Sequence, residues 1–152
     1  MTVETFTTRD LADSQLDRIR RGDTSNVATE LVVREFNLVE DNATADWYDA
    51  RHPNTDSKTE VKSCLSTVGN ATTRDGRFRL WKEQLRSLSS AEARGTAYVA
   101  FVLYRMDDRE IDVRRVKPQT VTEWVADRGG WNRSGHSEFD RQHKLPWPVV
   151  FE

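Results

Sequence analysis

Residues Asp49 to Lys62 read DARHPNTDSKTEVK: an acid, a Pro53-Asn54 turn, and then the triplet Glu60-Val61-Lys62. Side chains alternate between the two faces of a strand, so Glu60 and Lys62 share one face and Val61 points into the packing layer. A turn at Pro53-Asn54 folds the chain into a hairpin and brings Asp49 near Glu60, so that two carboxylates and an ammonium converge. Like-charged carboxylates in close contact raise each other's pKa, and a divalent cation relieves that repulsion. An all-oxygen ligand set suits Mg2+ or Mn2+.

The first acid has three candidates. Asp49 is preferred because eleven positions separate it from Glu60, room for a strand end, a turn and a strand start. Asp56 sits in the turn itself. Asp46, three residues before Asp49, falls on the opposite face of a regular strand, so only one of that pair can point at Glu60. The bland alternative for Glu-x-Lys is a surface ion pair.

The 152 residues suit one domain spanning 1–152, with 131–152 as a C-terminal extension. Cys64 is the only cysteine, which excludes an intrachain disulfide and fits an intracellular protein. A thiol nucleophile is not indicated, because no His-Asp arrangement accompanies it. The three histidines match no zinc-ligand spacing. Met1 to Ser14 has neither the basic start nor the apolar run of a signal peptide, and no stretch reaches membrane-spanning length, so a soluble, cytoplasmic protein without a membrane partner is expected. The net charge of -2 is unevenly spread: residues 1–60 hold 13 acids and 7 bases, residues 61–152 hold 12 and 16. An acidic part for metal and a basic part for phosphates fit a DNA partner, although a solvated charge mixture looks the same.

Periodicity predicts a helix from Asp10 to Arg21 stopped by Gly22, and a second over about 26–38 with Val27, Leu31 and Phe36 inward. Residues 44–51 and 58–66 form the hairpin, Arg77 to Leu80 a strand, and Trp81 to Leu88 a helix. The apolar run Thr96 to Arg105, TAYVAFVLYR, reads as the central buried strand. Ile111 to Val116 adds a strand, and Pro118 opens a last helix that Gly129-Gly130 ends. The order predicts an α/β fold: a central mixed β-sheet flanked by helices.

An acid followed about ten residues later by Glu-x-Lys on a polar strand resembles the core of the PD-(D/E)XK nuclease superfamily. Asn26 to Val33 looks like the first helix of that fold, and Gly76 to Gln84 is similar to its third strand and following helix, so the resemblance covers roughly residues 26–105. The chain departs from the eponymous pattern in having no Pro-Asp pair. The resemblance implies a restriction-endonuclease-like core and a Mg2+-dependent or Mn2+-dependent DNA endonuclease, restriction-like or acting in repair, and working as a homodimer. A Holliday junction resolvase is the alternative within that class, and a non-catalytic DNA-binding protein the alternative outside it. It further implies that Asp49, Glu60 and the Val61 carbonyl hold the metal, that Lys62 assists the attacking water, and that Glu30 is a third carboxylate. Gln84, by its place one helical turn after Leu80 and Trp81, is expected to orient phosphate or lysine, with a solvated helix glutamine as the alternative. Arg77, Arg79, Lys82, Arg133 and Lys144 are the expected DNA contacts. The piece Trp131 to Glu152 interleaves Arg133, His136, Arg141, His143 and Lys144 with Trp131, Phe139 and Trp147, which suits either a nucleic-acid grip or a strap over the core.

Overall fold

The computed structural model describes residues 3–41, 46–93, 95–133 and 141–152. His136 and Phe139 lie outside the described residues. Five helices, α1 (Asp13–Arg20), α2 (Thr24–Phe36), α3 (Lys82–Glu92), α4 (Pro118–Asp127) and α5 (Pro148–Phe151), surround eleven strands among the described residues.

Six strands form the central sheet in the order β1 (Val3–Thr7), β9 (Glu110–Val116), β8 (Ala97–Arg105), β4 (Lys58–Leu65), β3 (Ala50–Arg51), β2 (Val39–Glu40). The sheet is mixed: β4 and β8 run parallel, with Glu60 beside Val99 and Lys62 beside Phe101, and the other pairings are antiparallel. The apolar run of β8 is buried from Val99 to Tyr104, as its place between β4 and β9 demands. The expected mixed sheet with flanking helices is therefore the fold.

Several boundaries move for identifiable reasons. Helix α1 begins at Asp13 rather than Asp10, because Asp10 instead accepts the Thr7 amide at 2.8 Å and closes a short 3-10 turn. The hairpin is shorter than expected, with only Ala50 and Arg51 paired to Thr59 and Lys58. Strand β1 was hidden because VETFT carries weak alternation and is a strand only through its pairing with β9.

A larger correction concerns Arg77 to Leu80. The three-strand meander of the central sheet is β2-β3-β4, and β7 (Arg77–Trp81) lies outside it. It pairs with β11 (Arg141–Pro146), which pairs with β10 (Asn132–Arg133), in a separate sheet; β5 (Thr67–Val68) and β6 (Arg74–Asp75) form a small hairpin.

Two cores lie on opposite faces of the central sheet. On one, α2 buries Val27, Ala28, Leu31 and Val32 against Ala100, Val102 and Tyr104, with Val61 at the margin. On the other, α3, α4 and the second sheet bury Leu85, Val121, Phe78 and Leu145 against Val99, Phe101 and Cys64. The C-terminal residues are strapped into this second core: the Trp147 indole donates to the Ser66 carbonyl at 2.8 Å, and Val150 is fully buried.

Candidate active site

Strand β4 alternates as its sequence requires, placing Lys58, Glu60, Lys62 and Cys64 on the face of the second core and Val61 on the face of α2. Asp49 continues the ladder just before β3, its amide donating to the Thr59 carbonyl at 2.9 Å. Its carboxylate Oδ2 accepts the Val61 amide, also at 2.9 Å. This bond fixes Asp49 beside Glu60. A strand residue directs its N–H and C=O to the same edge, so the Val61 carbonyl leaves β4 on the Asp49 side.

Glu60 is only 4% exposed. Burial holds its carboxyl well above the ordinary range; Lys62 opposes that shift, and contact with the Asp49 carboxylate adds to it. Lys62 Nζ stands 3.6 Å from Glu60 Oε2 and donates to Gln84 Oε1 at 2.8 Å. The Gln84 amide nitrogen in turn donates to the Asp46 carbonyl at 2.7 Å, tying α3 to the chain that leads into Asp49.

The structure thus brings together Asp49, Glu60, Val61, Lys62 and Gln84. Asp46 contributes its backbone carbonyl, and its side chain is exposed. Asp56 sits in the turn with φ of 59° and pairs with Lys58 at 2.8 Å, which lowers its pKa. Glu30 is not brought into the cluster. Helix α2 covers the opposite sheet face, and Glu30 bonds Arg18 at 2.6 Å and Gln15 at 3.2 Å. Arg18 is the main cause of its lowered pKa. Cys64 is buried behind Lys62, and burial alone pushes its thiol up to about 12, which leaves it no thiolate for nucleophilic chemistry at neutral pH.

The expected DNA contacts divide. Arg77, Arg79 and Lys144 are exposed and share the outer face of the second sheet, where Arg79 opposes Lys144 and stacks over Trp81 at 5.2 Å. Lys82 is exposed at the start of α3. Arg133 pairs with Arg141, whose side chain alternates to the His143 and Leu145 face, so Arg133 does not belong to the basic outer face.

Among the described residues no three His, Cys, Asp or Glu side chains gather as a metal cluster. The carboxylates of Asp49 and Glu60, the second of them buried beside the first, are hard oxygen donors of the kind that fits a divalent cation. A family model for the PD-(D/E)XK nuclease superfamily domain matches residues 15–152. The chain belongs to the PD-(D/E)XK nuclease superfamily. It is a nuclease-type hydrolase domain by that membership. No curated protein and no solved structure shows significant similarity to the chain. Among its described residues, no helix of this nuclease domain is long and apolar enough to cross a membrane.

Proposed function

We propose that the protein is a metal-dependent DNA endonuclease, a reading supported above all by the joining of Asp49, Glu60 and Lys62 on one sheet face with Lys62 held by Gln84. Asp49, Glu60 and the Val61 carbonyl would hold Mg2+ or Mn2+. When bound, such an ion supplies Lewis-acid charge at the scissile phosphate and lowers the pKa of a bound water.

The protein's own groups do the rest. Lys62 has three N–H donors; one is committed to Gln84 and one faces Glu60, leaving one for a phosphate oxygen or the attacking water. Its side chain is 15% exposed, so its charge acts from a largely water-excluded position on the negative charge that develops at phosphorus. The water oxygen bonds phosphorus and gives up a proton to solvent as the bond to O3′ breaks, and O3′ takes up a proton from solvent, which leaves a 5′-phosphate and a 3′-hydroxyl. Arg77, Arg79 and Lys144 seat the backbone of the DNA. Each chain carries one such cluster and cuts one strand, so a double-strand cut requires two copies.

The test is incubation with supercoiled plasmid, linear duplex, single strands and a four-way junction in Mg2+, Mn2+ or EDTA, beside Glu60→Gln and Lys62→Ala. Metal-dependent cutting lost in both variants is the expected result, and preference for the junction would select a resolvase. Unchanged cutting in both variants would sink the assignment. Binding without any cutting would point to a non-catalytic DNA-binding protein.

A further inference from the structure

A cavity of about 840 Å3 opens beside the cluster, a size typical of small-molecule sites. One wall is α3, where Glu83, Arg86, Ser87 and Ser90 follow the spacing of a single helix face. Trp47 and Lys58 also line the cavity. These lining residues adjoin the cluster along the chain: Lys58 is two residues before Glu60 on the same strand face, Glu83 precedes Gln84, and Trp47 follows the Asp46 carbonyl that holds Gln84.

The lining selects a ligand chemistry. Lys58 is already ion-paired with Asp56 at 2.8 Å, and Glu83 and Arg86 offset each other in sign, so the described lining residues carry no net formal charge. A phosphate gains little there, whereas a neutral planar group rich in donors and acceptors fits. The half-buried indole of Trp47 lines the cavity and meets the Tyr48 ring in a T-shaped contact, with centroids 4.7 Å apart at 68°, which fixes its orientation. Among the described residues, Glu83 Oε2 is a buried carboxylate oxygen without a hydrogen-bond partner, and calls for an N–H donor.

We propose that this cavity receives one unpaired nucleobase of the DNA strand whose phosphate lies at the Asp49–Glu60–Lys62 cluster. Trp47 stacks on the base and Glu83 accepts its exocyclic amine. The inference rests on the nuclease reading and narrows its substrate to DNA carrying an unpaired nucleotide, because a base that is already unpaired enters a pocket at least cost.

The test is fluorescence anisotropy of the full chain in EDTA with two duplexes of equal length, one fully paired and one with a single-nucleotide bulge. Repulsion from the metal-free carboxylates affects both duplexes and cancels in the affinity ratio. Tighter binding of the bulged duplex by about tenfold is expected, with the ratio lost in Trp47→Ala and Glu83→Ala and largely kept in Trp47→Phe. Affinity for the paired duplex should stay the same in all three, which also shows that they fold. Equal affinity for both duplexes, no binding, or a preference that survives Trp47→Ala and Glu83→Ala overturns the proposal. Cleavage of the same duplexes in Mg2+ separates the two readings. Cutting without bulge preference removes the base pocket and keeps the nuclease, whereas bulge preference without cutting removes the nuclease and keeps the pocket.

Discussion

Lys62 Nζ donates to Gln84 Oε1 at 2.8 Å, while the nitrogen of the same amide donates to the Asp46 carbonyl at 2.7 Å. One side chain of α3 therefore sets the position of the candidate catalytic lysine and of the segment carrying the candidate metal-binding aspartate. A hydrogen bond to a charged group is worth about 1.5–3 kcal/mol, or about 10-fold to 100-fold in rate. Gln84→Ala should lower kcat by that range with little change in KM. Gln84→Glu keeps an acceptor for Lys62 but loses the donor to Asp46, and should fall between. Steady-state cleavage kinetics check this, and a change confined to KM would assign Gln84 to substrate binding instead.

Glu30 lies on the far side of the sheet, paired with Arg18. Glu30→Gln should leave cleavage within about twofold, the scale expected of a change remote from the site. Its side chain is 38% exposed, so the ion pair is worth under about 1 kcal/mol. Because Arg18 depresses the Glu30 pKa, this contribution is present above the unfolded value of about 4.3 and is lost as pH falls through the folded value. Urea melts of wild type and variant should differ slightly at pH 7 and converge in acid. Loss of cleavage would show that Glu30 reaches the site after all.

The outer face of the second sheet makes a prediction about salt. Each phosphate contact contributes about 0.9 to the slope of log affinity against log salt. Joint replacement of Arg77, Arg79 and Lys144 by Ala should flatten the slope for duplex DNA by up to about 3 units, whereas Arg133→Ala should change it little. An unaltered slope in the triple variant would place the DNA elsewhere.

Gly76 is where three segments meet. Its amide donates to the Ser66 carbonyl at 3.1 Å and its carbonyl accepts the Trp147 amide at 3.2 Å. A Cβ there would fall 1.7 Å from the Leu65 carbonyl oxygen, so backbone would have to move. Gly76→Ala should cost at least about 1–3 kcal/mol, the usual range for overpacking, and lower Tm by several degrees in a thermal melt. A melt like that of wild type would mean that β7 and the end of β4 part easily.

Local periodicity carried a good deal of this. The period-two pattern of TEVK put Glu60 and Lys62 on one face, and the unbroken apolar run of Ala97–Arg105 marked the strand that is buried on both sides. Pro118 at a first helical position marked α4. These depend on residues close together in the chain, where alternation, helix spacing and proline geometry act directly.

What lay outside the sequence was decided by contacts between distant segments. Helix α2 could have covered either sheet face, and packing of Val27, Leu31 and Val32 against Ala100 and Val102 chose the one away from Glu60. The Glu30 carboxylate was then bound by Arg18, from the neighbouring helix α1. Strand β7 had to choose a partner, and the burial of Phe78 with Leu145 gave it β11 rather than the central sheet. The sequence alone determined which side chains share a strand face and which acids and lysine lie close along the chain. Only the tertiary structure decided which elements meet there, because that choice depends on burying apolar surface between segments far apart in the chain.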